Sequence, residues 1–212
     1  MKLQKPNIAL IGGTGKIGTA LVGVLLNEGY RVRLLVRNPE KISLKSDLVT
    51  IIKGDAREIS CIRELIGDSD VLINLIGQSR GEPPLFSKVA DNVTKVLTDS
   101  RISRYIVIAG LGMETPKDKK KLHIILLAKL MRVLFPAVIN DKKKEYKIIS
   151  NSNLDWTIIR IPKVLLKDSS KGFRVNEYDC PSMSIFRNDL VNFIIEQIYD
   201  IKFYRKAPFV AK

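Results

Sequence analysis

The sequence predicts an α/β fold in which helices cover both faces of a doubly wound parallel sheet, with a small lobe at the C-terminus. Two observations predict it. Short, almost wholly apolar runs recur along the chain, as in strands buried on both faces. Segments with apolar residues at helical spacing separate these runs, and a regular alternation of strand and helix is typical of parallel sheets.

The elements follow in order from this pattern. The apolar runs predict strands over residues 8–11, 32–36, 49–52, 71–76, 105–109 and 155–160. Apolar residues at helical spacing predict helices around residues 17–25, 62–66 and 89–97. The intervening segments are short, and we find no internal repeat or flexible linker.

The pattern changes after residue 162. Residues 167–171 are polar and rich in serine, residues 174–176 predict a short strand, residues 188–199 a helix, and residues 208–210 a last strand. We therefore expect one domain over residues 1–212. Its core spans residues 1–162, and a small lobe over residues 163–212 closes over the sheet edge on the substrate side.

Composition restricts the class of protein. The 212 residues are 45% hydrophobic and 27% charged, which favours a globular core over a disordered or collagen-like chain. Two cysteines, Cys61 and Cys180, cannot form a disulfide framework. The first predicted strand begins too early for a signal peptide to precede it, and every long apolar stretch contains charge. We expect a cytoplasmic protein.

A glycine-rich turn follows the first predicted strand. Gly12, Gly15 and Gly18 have GxxGxxG spacing between that strand and an amphipathic helix. Glycine permits a tight turn and a close backbone approach to a pyrophosphate, while the helix N-terminus supplies unpaired N–H groups and a favourable dipole. The motif in this context predicts a Rossmann-like fold that binds a dinucleotide. A purely structural turn is the weaker alternative.

The second predicted strand indicates which dinucleotide. NAD-binding folds place an acidic residue at the end of this strand to receive the ribose hydroxyls. Arg37 stands there instead, and a cation suits the 2′-phosphate of NADP(H), so NADP(H) is preferred over NAD(H). The alternative is that Arg37 is a solvated charge at the strand end. Lys16 in the glycine turn is a second candidate for contact with the phosphates.

These motifs resemble those of the atypical short-chain dehydrogenase/reductases, in the NmrA-like NAD(P)H-binding group that includes flavin and biliverdin reductases. The resemblance covers nearly the whole chain and rests on six segments: residues 12–18, 36–39, 53–56, 70–77, 152–160 and 187–190. It adds Thr14 and Ile17 to the expected cofactor contacts.

The resemblance also implies positions for the rest of the cofactor. Asp55 and Ala56 would bracket the adenine, although Asp55 could also cap the helix that follows it. Leu75, Ile76 and Gly77 would lie beside the adenosine ribose. Gly110 and Pro162 would lie beside the nicotinamide, but the order Arg160-Ile161-Pro162 departs from the adjacent Arg-Pro usual in the family.

The residues for ordinary carbonyl reduction are missing. None of the six tyrosines precedes a lysine by four positions, and the fifth strand ends in Gly110-Leu111-Gly112 where many relatives have serines. Lys142 resembles the family lysine, and Val138 stands four residues before it. Lys142 is the candidate catalytic residue, with a possible contact to the nicotinamide ribose. The alternative is that residues 142–144 form the solvated start of a helix.

A flavin or quinone acceptor needs less from the protein. The site need only stack the conjugated ring on the nicotinamide and exclude water, because solvent can supply the proton afterwards. The sequence therefore favours an NADPH-dependent oxidoreductase with such a small-molecule acceptor. The alternative is a non-enzymatic regulatory or scaffold protein that senses NADP(H), as the NmrA-like resemblance implies.

Residues 117–147 form an unusually basic segment, with ten cations against three anions. Its middle has helical apolar spacing, and Pro136 is expected to end that helix. Such a helix could contact an anionic membrane surface or a partner; the favoured interpretation is that its apolar side covers the cofactor domain or a second subunit in a homodimer. Aromatic residues do not interleave the cations, so nucleic acid is not expected. His123 is expected at the surface, and no metal site is expected.

Overall fold

A computed structural model of the chain describes residues 5–41, 46–77, 85–167 and 169–212. Within those ranges the chain forms an eight-stranded sheet and a separate two-stranded sheet. The strands are β1 (Ile8–Ile11), β2 (Val32–Val36), β3 (Val49–Lys53), β4 (Val71–Asn74), β5 (Arg104–Gly110), β6 (Asp155–Ile161), β7 (Lys163–Leu165), β8 (Arg174–Asn176), β9 (Ser184–Phe186) and β10 (Phe209–Ala211).

The large sheet has the strand order β3-β2-β1-β4-β5-β6-β10-β8. All neighbours pair in parallel except β10 and β8. From β1 the chain winds outward through β2 and β3, and then returns to place β4 on the other side of β1. Ligands of such sheets bind at this reversal, outside the carboxyl ends of the strands. The predicted doubly wound parallel sheet is confirmed.

Helices cover both faces of the sheet. They are α1 (Lys16–Asn27), α2 (Ile59–Ile66), α3 (Phe86–Thr98), α4 (Leu122–Leu134), α5 (Pro136–Ser150) and α6 (Arg187–Glu196). One apolar cluster lies under α2, α3 and α5, with Ile62, Val89 and Ile149 at its centre. The other lies under α1 and α6 and contains Leu21 and Leu190. β1, β4 and the central part of β6 are buried on both faces, which explains their unbroken apolar sequence. The same expectation is wrong for β3, which forms one edge of the sheet and buries only Ile52 fully.

One predicted strand is too long. The apolar run over residues 71–76 predicted a single strand, but β4 ends at Asn74. The Asn74 side chain accepts a hydrogen bond from the Ile76 N–H at 3.0 Å and so turns the chain out of the sheet. Asn74 is a polar residue inside this apolar run, and it was the one indication in the sequence that the strand ends there.

The C-terminal residues partly extend the main sheet. β10 pairs with β6, and β8 pairs with β10 on its outer side. β7 and β9 form the separate two-stranded sheet, and α6 packs beside α1. The division of the chain into a core and a lobe at residue 162 stays a prediction.

A buried arginine joins this extension to the core. Arg160 on β6 is fully buried, and its guanidinium lies 2.6 Å from Asp118 Oδ1. It donates to the carbonyls of Ala207 at 2.7 Å and Glu177 at 3.1 Å, and its Cζ lies 3.6 Å from the centroid of the Phe209 ring. Burial opposes ionisation of Asp118, but the surrounding charges and hydrogen bonds, with the charge of Arg160 first among them, together hold the pKa of that carboxyl below its usual value. Arg160 therefore connects the loop before α4 to β10 and to the residue that follows β8.

Pro136 separates α4 from α5, as the sequence predicts. Proline lacks the N–H that would continue a helix but suits the first position of the next one. The two helix axes meet at a bend of 112°. Among the described residues no single helix is long and apolar enough to cross a membrane, although this bent pair passes that test of length and composition together.

Candidate cofactor and acceptor site

An open cleft lies at the carboxyl ends of β1, β2 and β4, where the winding of the sheet reverses. Its volume is about 760 Å³. Ten of the residues predicted to bind the cofactor line it: Gly12, Thr14, Gly15, Lys16, Arg37, Asp55, Ala56, Leu75, Ile76 and Gly77. Their roles there stay predictions, but the fold brings all ten to one place from four separate loops, one after each of β1, β2, β3 and β4.

Two glycines shape the turn at the base of this cleft. Gly12 has φ of 81°, and a Cβ on it would lie 2.7 Å from the backbone carbonyl of Leu75. Gly18 packs the first turn of α1 against the turn, so that a Cβ there would lie only 2.2 Å from the Gly12 carbonyl oxygen. Both positions require glycine, one for backbone conformation and close approach and the other for space.

The N-terminus of α1 faces the cleft with its amides available to a ligand. Gly15 is the N-cap residue and provides no side-chain hydrogen bond, and the first turn contains no acidic residue. The unpaired N–H groups of a helix start and the positive end of its dipole favour an anion. A pyrophosphate fits this position, since Gly15 adds no side chain between the amides and the cleft.

One predicted contact of this turn lies elsewhere. The Ile17 side chain packs against the apolar cluster beneath α1 and is not among the residues that line the cleft. Isoleucine follows the glycine turn on the inner face of an amphipathic helix, so its side chain belongs to the core. Only its backbone N–H remains as a candidate for phosphate contact.

Two arginines and a carboxylate form the far end of the cleft. Arg37 and Arg57 both line it, and Arg57 is bound by Asp55 at 2.6 Å. Asp55 Oδ1 also accepts the Arg57 backbone N–H at 2.9 Å. The Arg57 side chain, followed by smaller contributions including the charge of Arg37, holds the pKa of Asp55 below its usual value. Asp55 is therefore a charged acceptor at this end.

Sequence reasoning left two roles open for Asp55 and missed Arg57. Asp55 supports the turn that leads into α2, although the helix itself begins at Ile59 with Glu58 as its N-cap residue. Contact between Asp55 and an adenine stays a prediction. Arg57 could have been found as a second cation two residues beyond the predicted adenine contact.

A second, more apolar cavity of about 520 Å³ adjoins the cleft, and Ile76 lines both. Gly110, Pro162 and Lys142 lie here and not in the cleft. The other walls come from the end of β5, from β6 and from α3, α4 and α5. Sequence reasoning missed most of them: Phe86, Met113, Leu127, Met131, Val138 and Ile139. Their contribution depends on how the helices pack over the sheet end, which periodicity alone does not give.

Lys142 is an interior residue in the middle of α5. Its ammonium lies 2.7 Å from Glu145 Oε2, donates to the Ile108 carbonyl at 3.2 Å, and lies 3.7 Å from the centroid of the Phe86 ring. Lys143 and Lys144 are exposed. The alternative interpretation of residues 142–144 as a solvated helix start is therefore wrong for Lys142, since α5 begins six residues earlier, at Pro136.

Glu145 completes this buried pair. It is fully buried, and its Oε1 has no hydrogen-bond partner among the described residues. Burial raises the pKa of Glu145, and the adjacent Lys142 charge opposes that shift. An ammonium has three donors, and Glu145 and the Ile108 carbonyl accept two of them. The ammonium also lies over the Phe86 ring, which lines the same cavity.

Asp141, next to Lys142, connects α5 to the start of α3. Its Oδ2 accepts the backbone N–H of Leu85 at 2.9 Å and that of Phe86 at 2.8 Å, and its Oδ1 accepts the Ser87 hydroxyl. Leu85 lines the cleft and Phe86 lines the cavity. A buried carboxylate on one helix thus caps another at the border between the two spaces.

The ionisable groups of the apolar cavity are few. Of the described residues that line it, Lys142 and Lys163 are the only ones with ionisable side chains, and none is a tyrosine or a serine. The part of the chain that the structure describes also contains no cluster of histidine, cysteine, aspartate or glutamate suited to a metal ion. Lys142 and Lys163 are therefore the ionisable side chains that the described walls offer to a reactant in this cavity.

The fold and the cleft define a Rossmann-type dinucleotide-binding protein with an oxidoreductase-like architecture. The particular family follows from a sequence model described as NAD(P)H-binding, which matches residues 12–200. The chain belongs to this family. The resemblance to atypical short-chain dehydrogenase/reductases, stated above from six segments, is confirmed.

Individual relatives are distant. The chain is 22% identical over 152 residues to the uncharacterized protein YwnB of Bacillus subtilis, covering 72% of this chain and 70% of YwnB. A second relative from the same organism, the epimerase family protein YfhF, is 31% identical over 115 residues, but the match covers only 54% of this chain and 35% of YfhF.

Solved structures share the fold across the whole chain. A short-chain dehydrogenase/reductase from Veillonella parvula in complex with NADP has a TM-score of 0.83 at 17% identity, covering 99% of this chain and 95% of that one. A candidate NADH-flavin reductase from Streptococcus pneumoniae has a TM-score of 0.77 at 18% identity, covering 98% and 100%. At these identities the likeness establishes the architecture alone.

Proposed function

We propose that the protein is an NADPH-dependent reductase that transfers hydride to a flat conjugated acceptor such as a flavin or a quinone. The observation that carries the proposal is the apolar cavity beside the dinucleotide cleft, whose described walls include no tyrosine or serine acid. An acceptor that must be protonated as it receives hydride would need such an acid. A conjugated ring can receive hydride first and a proton afterwards.

The glycine turn and the start of α1 would hold the pyrophosphate, and Arg37 and Arg57 would hold the 2′-phosphate. When bound, NADPH supplies the hydride. Phe86, Leu111 and Met131 would contact the acceptor ring and exclude water. The acceptor ring would then stack on the nicotinamide in place of contact with solvent. Lys142, which lines the cavity, would stabilise negative charge on the reduced acceptor. A proton from solvent completes the two-electron reduction.

The reduction is tested by mixing the full-length protein with NADPH and, in turn, FMN, FAD and a soluble naphthoquinone. We expect the absorbance of reduced nicotinamide to fall with at least one acceptor and the reduced acceptor to form in equal amount. NADPH binding with no oxidation by any acceptor would contradict the proposal. That result would favour the NADP(H)-sensing alternative, which the missing acid residues also fit.

Arg37 is expected to set the preference for NADPH over NADH. Arg37→Asp should weaken NADPH binding at least about tenfold relative to NADH, because a hydrogen bond to a charged group contributes roughly 1.5–3 kcal/mol. Calorimetric titration with both nucleotides measures the ratio. Arg63→Asp, on the exposed side of α2, makes the same charge change away from the cleft and should preserve the ratio. An unchanged ratio in Arg37→Asp would show that the 2′-phosphate is held elsewhere.

A further inference from the structure

The outer side of α4 is apolar and exposed to solvent. We call it the α4 face and define it by Leu122, Leu126, Leu130, Val133 and Leu134. Leu122 is 71% exposed and Val133 77%, and the other three are each more than half exposed. Soluble proteins expose apolar residues singly, whereas a contiguous row of large aliphatic side chains marks an interaction surface. The interpretation that this helix covers the cofactor domain holds only for its inner side.

Helical geometry separates the two sides of α4. Its buried residues are Ile124 and Ala128, and Leu127 and Met131 turn toward the acceptor cavity. The residues of the α4 face follow one another at intervals of three and four on the opposite side of the helix, as expected for one stripe of a helix. The inner contacts hold the helix in place while the stripe remains available.

The surroundings of the α4 face are strongly basic. Residues 117–135 contain six cations and one anion, Asp118, which pairs with the buried Arg160 and with Lys120. The nearby Glu114 pairs with Arg132 on α4, and the other four cations outnumber these two carboxylates. Lys117, Lys119, Lys121 and Lys129 are exposed. Lys129 projects from within the stripe itself, where its aliphatic stem can follow apolar groups while the ammonium reaches a charged layer.

An aromatic residue, Tyr178, lies beside the lysines that surround the α4 face. Tyr178 is 46% exposed, and its carbonyl accepts the Lys119 N–H at 2.9 Å. The Lys119 ammonium lies 5.5 Å from the centroid of the Tyr178 ring. Tyrosine and lysine together are typical of positions at the level of lipid headgroups, where one end of a side chain is apolar and the other is hydrated.

We propose that the α4 face docks on the surface of an anionic membrane, with α4 lying in the plane of the headgroups. The aliphatic stripe enters the boundary between headgroups and acyl chains, and the lysines around it contact lipid phosphates. The net charge of +14 attracts the whole molecule to such a surface at low ionic strength. The assigned occupant is the anionic bilayer, and neither NADPH binding nor hydride transfer is required.

A second copy of the chain fits this surface less well. A symmetric contact presents the same patch from both molecules. It would bring Lys129 and the lysines before α4 of one copy toward the same cations of the other, with no exposed carboxylate on α4 to oppose them. An anionic lipid surface supplies the missing negative charge, and a copy of this chain does not.

The test is sedimentation of the full-length protein with phosphatidylcholine vesicles made with and without phosphatidylglycerol, at low and high salt. We expect binding only to vesicles that contain phosphatidylglycerol, and release at high salt because screening removes the attraction. The double variant Leu126→Ser/Val133→Ser should bind at least about tenfold more weakly, because each exposed aliphatic side chain loses its burial in the bilayer.

A matched variant separates this surface from general hydrophobicity. Ile201 is 72% exposed, as Val133 is 77%, but it lies at the opposite end of the strands, near the amino end of β6. Ile201→Ser should bind vesicles like the unaltered protein. Because all three side chains already face solvent, the thermal midpoints of both variants should stay within about 2 °C of the unaltered protein.

Three results would overturn the proposal. One is no sedimentation with phosphatidylglycerol vesicles at low salt. Another is equal binding by the double variant and the unaltered protein. The third is a dimer in analytical ultracentrifugation that the double variant converts to a monomer, since this would assign the α4 face to a second copy of the chain.

Discussion

Gly18→Ala is expected to lower NADPH affinity about a hundredfold or more, the largest effect on binding that a single methyl group should produce in this protein. The new Cβ would lie 2.2 Å from the Gly12 carbonyl oxygen and 2.6 Å from the Gly13 Cα. Both are backbone atoms of the turn that is proposed to hold the pyrophosphate. The turn must move by an appreciable fraction of an ångström, and a displacement near 1 Å can cost about a hundredfold where groups must be aligned.

Gly23→Ala is the matched control in the same helix. A Cβ at Gly23 meets nothing within 4 Å, and alanine in a helix interior is about 1 kcal/mol more favourable than glycine. This variant should bind NADPH normally and unfold at a slightly higher temperature. Calorimetric titration measures the affinities, and unfolding without nucleotide shows whether Gly18→Ala remains folded. Normal affinity in a folded Gly18→Ala protein would remove the glycine turn as the phosphate site.

Arg160→Met is expected to lower the free energy of unfolding by about 3 kcal/mol, because removing one partner of a buried ion pair is strongly destabilising. Asp118 would retain Lys120 at 3.1 Å and the Thr115 hydroxyl at 2.7 Å, but the carbonyls of Ala207 and Glu177 would lose their donor. Urea denaturation followed by circular dichroism measures the change.

Two further variants show whether the effect comes from the buried pair. Arg63→Met removes the same charge from an exposed position on α2 and should change stability by less than about 0.5 kcal/mol. Asp118→Asn combined with Arg160→Met removes the carboxylate that has lost this partner, so the double variant should recover part of the loss. Equal stability of Arg160→Met and Arg63→Met would show that the pair contributes nothing net.

The sequence predicted those parts of the fold that depend on local pattern. Strands buried on both faces leave continuous apolar runs, and the glycine turn combines a motif with a strand-helix junction, so both are visible without tertiary information. The pairing of β7 with β9 was not predicted, because two three-residue strands separated by a long connection carry no distinct periodicity.

The candidate site was predicted less evenly. The cleft residues follow strand ends, which a parallel sheet brings to one edge. The cavity walls depend on helix packing, and Lys142 shows the difficulty. Which of three consecutive lysines is buried depends on which side of the helix packs against the rest of the protein. In α5 that side carries Asp141, Lys142 and Glu145. Helix faces that pack on a sheet usually carry apolar residues, so a search for apolar periodicity does not recognise an inner face that carries charged ones.

The cap that Asp141 places on α3 has a consequence for the alignment of the two reactants. One oxygen atom holds consecutive amides, of which the first belongs to the wall of the nucleotide groove and the second to the wall of the adjoining chamber. The separation of these walls is therefore governed by a carboxylate that lines neither space. Donor and acceptor rings bound in these two spaces would keep their mutual distance as long as this contact stays intact.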